Sequence, residues 1–125
     1  GGTLVELGRE FAHAEFVLDP ETGSLTVYIL DGEAENSVRI GQESIEVVIE
    51  ETVPPAGASG NSHYTLILSA LPNVLTGETT GDTSEFAAQT DKLRGVRKFT
   101  AVIPTLNVKG QAFKNIEFSY PEGNE

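Results

Sequence analysis

The sequence predicts an all-β protein: an antiparallel β-sandwich of immunoglobulin-like architecture, with about eight strands and one short helical turn. Apolar and polar residues alternate along most of the chain, and a period of two is that of a strand with one buried face. Turns rich in glycine and proline separate these stretches at intervals of roughly 8–14 residues. An up-and-down barrel has the same period and is the alternative architecture.

The clearest local pattern is a β-hairpin over residues 13–30. His13–Leu18 and Ser24–Leu30 alternate as strands, and Asp19–Gly23 between them has the aspartate, proline and glycine of a tight turn. Side chains on a strand point alternately to its two faces. The first strand therefore divides its residues between two faces, with Ala14, Phe16 and Leu18 opposite His13, Glu15 and Val17.

The other strands follow from the same alternation, which is cleanest where Ile45, Val47 and Ile49 face inward between outward glutamates. Two stretches rich in glycine, threonine, proline or acidic residues, Thr52–Ser62 and Thr76–Ser84, are predicted to be exposed loops. The remaining predicted strands are Leu4–Leu7, Ser37–Ile40, Ser44–Glu50, Tyr64–Leu71, Glu85–Gln89, Phe99–Ile103 and Ala112–Tyr120.

The predicted helical turn is Thr90–Gly95, with Thr90 as its N-cap and Gly95 just past its end. After the last strand, residues 121–125 are predicted to form a frayed tail. A chain of 125 residues has the length of one domain, so we expect a single β-sandwich domain over residues 1–125.

Composition excludes several classes of function. Cysteine is absent, which removes disulfides, thiolate catalysis and thiolate metal sites. A formal net charge of −11 argues against nucleic acid as a partner, because its phosphates would be repelled. No apolar run approaches the ~20 residues of a membrane-spanning helix, so no transmembrane segment is predicted in this chain.

The charge is distributed unevenly along the chain. Residues 1–51 hold twelve acidic residues and two arginines, whereas residues 84–114 hold six basic and two acidic residues. We expect a protein partner or an envelope component, and the candidate surface for it is formed by Lys92, Arg94, Arg97 and Lys98. This surface could meet an anionic partner, or the acidic face of a second copy or of a neighbouring domain. The alternative is a solvated turn followed by an edge strand that its charges protect from aggregation.

His13 and Glu15 are the candidate metal ligands. They lie two residues apart on the predicted second strand, so both side chains leave the same face and could share a divalent ion. Zinc takes three or four nitrogen or oxygen ligands, and the sequence places only these two close together. The alternative is a surface histidine that faces a glutamate. No other cofactor is predicted.

The sequence contains no recognisable catalytic motif. No serine lies in a Gly-x-Ser-x-Gly elbow, and the glycine pattern of a phosphate-binding loop does not occur. We therefore predict that the protein is not an enzyme, and a hydrolase with paired carboxylates is kept as an alternative.

Three segments of the chain form a recurring pattern: Gly1–Gly8, His13–Asp19 and Leu25–Gly32. They resemble small secreted or lipoprotein bacterial domains of unknown function that are associated with heavy-metal efflux adaptor proteins. Within this resemblance, His13 and Glu15 match a His-x-Glu motif. The resemblance extends to Phe86, Leu93, Phe99, Val108–Gly110 and Phe118.

The resemblance implies an extracytoplasmic location, periplasmic or secreted, with a lipid anchor as an option if residues precede Gly1. The function predicted first is a non-enzymatic binding or accessory module. The second is a periplasmic metal-binding protein of an efflux or resistance system, in which His13 and Glu15 are joined by a ligand from elsewhere. The third is a hydrolase.

Overall fold

The computed structural model describes residues 2–53 and 63–124. Within these ranges the chain forms eight antiparallel strands and two 3-10 turns, Val74–Thr76 and Asp91–Leu93, which confirms the predicted all-β class. The strands are β1 (Thr3–Leu7), β2 (Ala12–Asp19), β3 (Ser24–Leu30), β4 (Ser44–Val53), β5 (Tyr64–Ala70), β6 (Glu85–Gln89), β7 (Lys98–Val108) and β8 (Gln111–Tyr120).

The strands form one sheet in the order β1-β2-β3-β6-β5-β4-β7-β8. The sheet is narrowest between β5 and β6, where only Ser69–Ala87 and Ala70–Phe86 pair, so it consists of two four-stranded halves. The outer strands β1 and β8 come together, and the Thr3 hydroxyl donates to the Pro121 carbonyl at 2.9 Å. The sheet is therefore nearly closed and barrel-like.

The hydrophobic core lies between the two halves of the sheet. Phe16 of β2 stacks on Phe118 of β8 with ring centroids 4.5 Å apart, which joins the halves directly. The inward residues predicted for β4, Ile45, Val47 and Ile49, are fully buried. Alternation thus places one face of each strand in a common core, as the sequence predicts.

Two strand predictions differ from the structure. Ser37–Ile40 is not a strand, because it crosses between neighbouring strands and forms only the isolated bridges Leu30–Ser37 and Ile40–Thr83. Strand β7 continues past the predicted end at Ile103 to Val108. Pro104 lacks a backbone N–H, and the strand tolerates it because β7 no longer pairs with β4 at this position. The last β4–β7 pair is Val48–Val102.

Two predictions about exposed segments are corrected. The Thr76–Ser84 stretch is not a simple exposed loop, since Glu78, Thr83 and Ser84 are buried. Residues 121–124 are not frayed, because the Gly123 N–H donates to the Ser119 carbonyl at 2.6 Å and the Asn124 side chain bonds to the backbone of Glu6. Most of the predicted Thr52–Ser62 loop lies outside the described residues, and its first two residues end β4.

The predicted helical turn at Thr90–Gly95 is present. Asp91–Leu93 form a 3-10 turn, and the Thr90 hydroxyl accepts from the Lys92 N–H as the expected N-cap. Leu93 is buried and fixes this turn against the core.

Candidate functional site

Between β5 and β6 the chain presents aliphatic side chains to solvent. We call residues Leu71–Gly77 the apolar turn. Val74 is 80% exposed and Leu75 is 93% exposed, while Leu71 before them is about half exposed. Val74 and Leu75 are the most exposed large apolar side chains of the described residues, and they lie with Leu71 on one short segment. Clustered apolar exposure of this kind is typical of an interaction site.

Hydrogen bonds hold the apolar turn in one conformation. The Asn73 side chain accepts from the Leu75 N–H at 3.0 Å, and the Gly77 N–H donates to the Val74 carbonyl at 3.2 Å. At the start of the turn, the Leu71 N–H donates to the Glu85 carbonyl on β6 at 2.8 Å. The exposed side chains are thus mounted on an ordered backbone that is attached to the sheet.

The buried carboxylate of Glu78 lies beneath the turn. Its Oε1 accepts from the Asn73 N–H at 3.0 Å and from the Thr83 hydroxyl at 2.7 Å, and its Oε2 accepts from the Ser84 hydroxyl at 2.8 Å. Burial by itself raises the pKa of Glu78, but these hydrogen bonds to the charged form outweigh it and lower the pKa to about 2. Glu78 is therefore an ionised anchor for the turn.

Arg39 completes this network from the segment after β3. Its guanidinium donates to the Thr76 carbonyl and to Asp82 at 3.1 Å, and lies 3.9 Å from Glu78. The positive charge of Arg39 is thus shared between two carboxylates and the backbone of the turn.

A cleft of about 400 Å³ separates the apolar turn from the outer face of β3 and β6. Strand register aligns Glu15, Tyr28 and Glu85 across β2, β3 and β6 on one outward row, and the last two line the cleft. The full lining is Tyr28, Ser37, Arg39, Asn73, Thr76, Glu78, Ser84 and Glu85.

Glu85 is the carboxylate of the cleft whose negative charge no nearby cation balances within the described residues. Burial raises its pKa, and the negative charge of Glu78 raises it further. The pKa of Tyr28 is also raised, first by burial and then by the charges of Glu85 and Glu15. Among the described residues no cation lies within ion-pair distance of Glu85. The charge of Glu85 therefore makes one side of the cleft negative, and no ion pair of the described residues neutralises it.

The predicted metal ligands His13 and Glu15 share the outward side of β2, as expected. His13 is buried, and its Nδ1–H donates to the Asp31 carbonyl at 3.1 Å, while Glu15 accepts from the Gly2 N–H at 3.2 Å. In residues 2–53 and 63–124, no group of three or more histidines and carboxylates is arranged to hold a metal ion. The two candidates thus share one side of β2, and the described residues offer them no third ligand.

Three cations of the predicted basic surface are engaged by residues of the same chain. Lys92 lies 4.6 Å from the centre of the Tyr64 ring, Arg94 pairs with Asp91 at 2.7 Å, and Lys98 lies 3.8 Å from Glu122. Arg97 is exposed and forms no ion pair within the described residues. Three of the four cations thus already contact neighbours in their own chain.

The apolar turn was missed by the sequence analysis, although a signal was present. Val74 and Leu75 are adjacent aliphatic residues between Pro72-Asn73 and Gly77, in a stretch with no strand or helix period. Loops are usually polar, so an apolar pair bracketed by turn residues is anomalous. The burial of Glu78 had no such signal, because its partners are defined only by the folded loop.

Comparison of the chain with protein-family models, with curated proteins and with solved structures found no match. No helix of the described residues is long and apolar enough to cross a membrane.

Proposed function

We propose that this protein is a non-enzymatic, extracytoplasmic binding module that docks a partner protein through the apolar turn. The observation that carries the proposal is the exposure of Val74 and Leu75 on a backbone fixed by Glu78. A preorganised loop loses little conformational entropy on binding, so more of the free energy of burying its apolar side chains is available for affinity.

Binding is favoured over hydrolysis because of the state of the two cleft carboxylates. A paired-carboxylate mechanism needs one free base and one acid. Both oxygens of Glu78 accept hydrogen bonds that support the turn, so only Glu85 of the pair is unengaged. The hydrolase alternative has no second free carboxylate in the cleft.

The metal-binding alternative has one specific observation in its favour. The bond from Nδ1–H of His13 to the Asp31 carbonyl fixes the ring and leaves the lone pair of Nε2 available to a metal ion, which is the usual arrangement of a metal-ligating histidine. Calorimetric titration with Zn²⁺, Cu²⁺ and Ni²⁺, on a chain that includes any residues preceding Gly1, tests this candidate. Tight binding that persists in His13→Ala would exclude the proposed site.

The docking proposal is tested by selecting peptides from an unbiased display library. Wild-type protein, a Val74→Ser/Leu75→Ser variant and a Val53→Ser variant serve as separate baits. Val53 is a suitable control because it is an exposed apolar residue far along β4 from the apolar turn. The start of β4 pairs with the end of β5, next to the turn, and Val53 is the last residue of β4. All three substitutions lie on the surface, and each should change stability by no more than about 0.5 kcal/mol.

We expect wild type and Val53→Ser to enrich related peptides, and the double variant to lose them. The same peptides enriched by all three baits would place binding elsewhere and contradict the proposal.

A further inference from the structure

We infer that the docking partner presents an apolar surface bordered by lysine or arginine side chains, one of which enters the cleft beside Glu85. This inference rests on the proposed function and adds the chemistry of the partner. It follows from the charges around the apolar turn, from the absence of cations able to neutralise them, and from the placement of the cleft.

Three carboxylates, Glu43, Glu46 and Glu85, adjoin the apolar turn or strand β5, which leads into it. Glu43 is exposed and adjoins the end of β5, where the Ala70 N–H donates to its carbonyl at 3.1 Å. Glu46 is exposed and pairs in register with Ile67. Ile67 is an exposed apolar residue of β5, four residues before Leu71. Glu85 lies at the start of β6, directly beside Leu71.

Within residues 2–53 and 63–124, no ion pair neutralises these carboxylates. The cation next to the turn is Arg39, which is engaged by Glu78 and Asp82. The basic stretch lies elsewhere, since Lys92 covers Tyr64 at the start of β5 and the apolar turn follows the end of β5. Within the described residues, Glu43, Glu46 and Glu85 form no ion pair.

The cleft places one of these carboxylates, Glu85, at a defined position beside Tyr28. Glu85 and Tyr28 are cross-strand neighbours and both line the cleft, so a carboxylate lies next to an aromatic ring. A lysine or arginine side chain fits such a pair, because its apolar stem packs on the ring while its charged group meets the carboxylate. Burial of Glu85 is unfavourable in the free protein and would be compensated by that cation.

A partner protein is favoured over a membrane as the occupant. An exposed apolar turn that inserts into lipid is usually bordered by basic residues, which attract anionic headgroups. Here the border is acidic and would be repelled by such a surface. Charge complementarity therefore points to a basic protein surface.

The inference is tested with three short fluorescent peptides that share the same leucine and phenylalanine positions. The first peptide carries lysine at its polar positions, the second glutamate and the third glutamine. We expect the lysine peptide to bind most tightly, to weaken as salt rises from about 50 to about 500 mM, and to shift the NMR signals of the apolar turn and Glu85. The other two peptides should bind at least about tenfold more weakly.

Matched variants separate this face from general attraction to an acidic protein. Glu43→Gln/Glu85→Gln should weaken the lysine peptide by about threefold or more, whereas Glu21→Gln/Glu117→Gln removes the same charge elsewhere and should change affinity by less than about twofold. Equal weakening by both pairs, or signal shifts confined to other faces, would overturn the inference. Sedimentation with phosphatidylcholine vesicles that depends on Val74 and Leu75 would also overturn it.

Failure of this inference can be told apart from failure of the proposed function. Peptides from the display selection that require Val74 and Leu75 but are not basic would leave the docking function intact and refute the basic partner. Selected peptides that ignore the turn would refute the docking function itself.

Discussion

Glu78 shows why the candidate site could not be predicted from the sequence. Its neighbours are glycine, threonine and acidic residues, a composition that indicates a solvated loop. The structure buries it because donors from both ends of that loop, Asn73 on one side and Thr83 and Ser84 on the other, converge on one carboxylate. Such convergence depends on the folded path of the loop and leaves no periodic trace.

The anchoring role of Glu78 predicts the effect of Glu78→Gln. The substitution removes the charge and places an amide donor against donors, so we expect the free energy of unfolding to fall by about 1–3 kcal/mol at neutral pH. Denaturant unfolding measures this loss. Glu46→Gln is the control, because Glu46 is exposed and should change stability by less than about 0.5 kcal/mol.

The lowered pKa of Glu78 also predicts a pH dependence. A carboxylate with a pKa of about 2 in the folded state stabilises the protein above its ordinary pKa, and that contribution is lost as the pH falls towards 2. Thermal unfolding should therefore show the largest difference between wild type and Glu78→Gln near neutral pH, shrinking below about pH 4.5. A difference that stays constant down to pH 2 would contradict the ionised anchor.

Glu85→Gln is expected to act in the opposite direction. The pKa of Glu85 is raised by burial and by Glu78, so its ionised form is disfavoured in the folded state. Its ionisation lowers stability as the pH rises through the raised pKa, and the amide should relieve this cost by a few tenths to about 1 kcal/mol after solvent screening. A higher Tm for Glu85→Gln than for wild type at pH 7 checks the prediction; a lower Tm would show an unrecognised stabilising partner.

Among the strands and turns, the sequence was most informative where local patterns decide structure. The β2–β3 hairpin has the predicted strands and turn, and the Thr90 N-cap is where the sequence places it. Ser37–Ile40 alternates like a strand, yet it passes between neighbours and pairs at single points. Pairing depends on which strands lie alongside, so alternation alone could not exclude it.

The turn of the hairpin provides a prediction with a matched control. Gly23 has a positive φ of 74°, and a Cβ there would clash with the Thr90 carbonyl, which packs on this turn. Gly110 has a similar φ of 78° in the β7–β8 turn, with no atom within 4 Å of the same position. Gly110→Ala should cost about 1–2 kcal/mol of backbone strain, and Gly23→Ala at least about 2 kcal/mol more.

Denaturant unfolding of both variants measures this difference. Equal costs would mean that the Thr90 turn does not pack on the hairpin, and would contradict the way the Asp91–Leu93 turn is placed against the sheet.

At the scale of the whole molecule, the strand order redistributes charges that the sequence separates. Residues 1–51 are strongly acidic and residues 84–114 are basic. In the sheet, however, β6 lies beside β3, and β7 lies beside β4, so strands from the two regions adjoin at two places. A polarity along the chain does not become two opposite faces, and the acidic border of the apolar turn is set by topology.

The same topology explains how the apolar turn comes to project from the molecule. The sheet is joined at β5–β6 by two residue pairs, and the connection between these strands carries the turn, the Glu78 anchor and one wall of the cleft. The remaining strands form a continuous, paired framework around one core. The candidate site thus stands on a rigid scaffold at the place where the two halves meet.

The docking function requires that a partner protein binds to Val74 and Leu75. The most direct measurement is the Kd of the tightest selected peptide for wild type, for Val74→Ser/Leu75→Ser and for Val53→Ser. We predict a loss of about tenfold or more for the double variant, equivalent to about 1.4 kcal/mol, and an unchanged Kd for the control. Affinities within about twofold for all three proteins would contradict the claim.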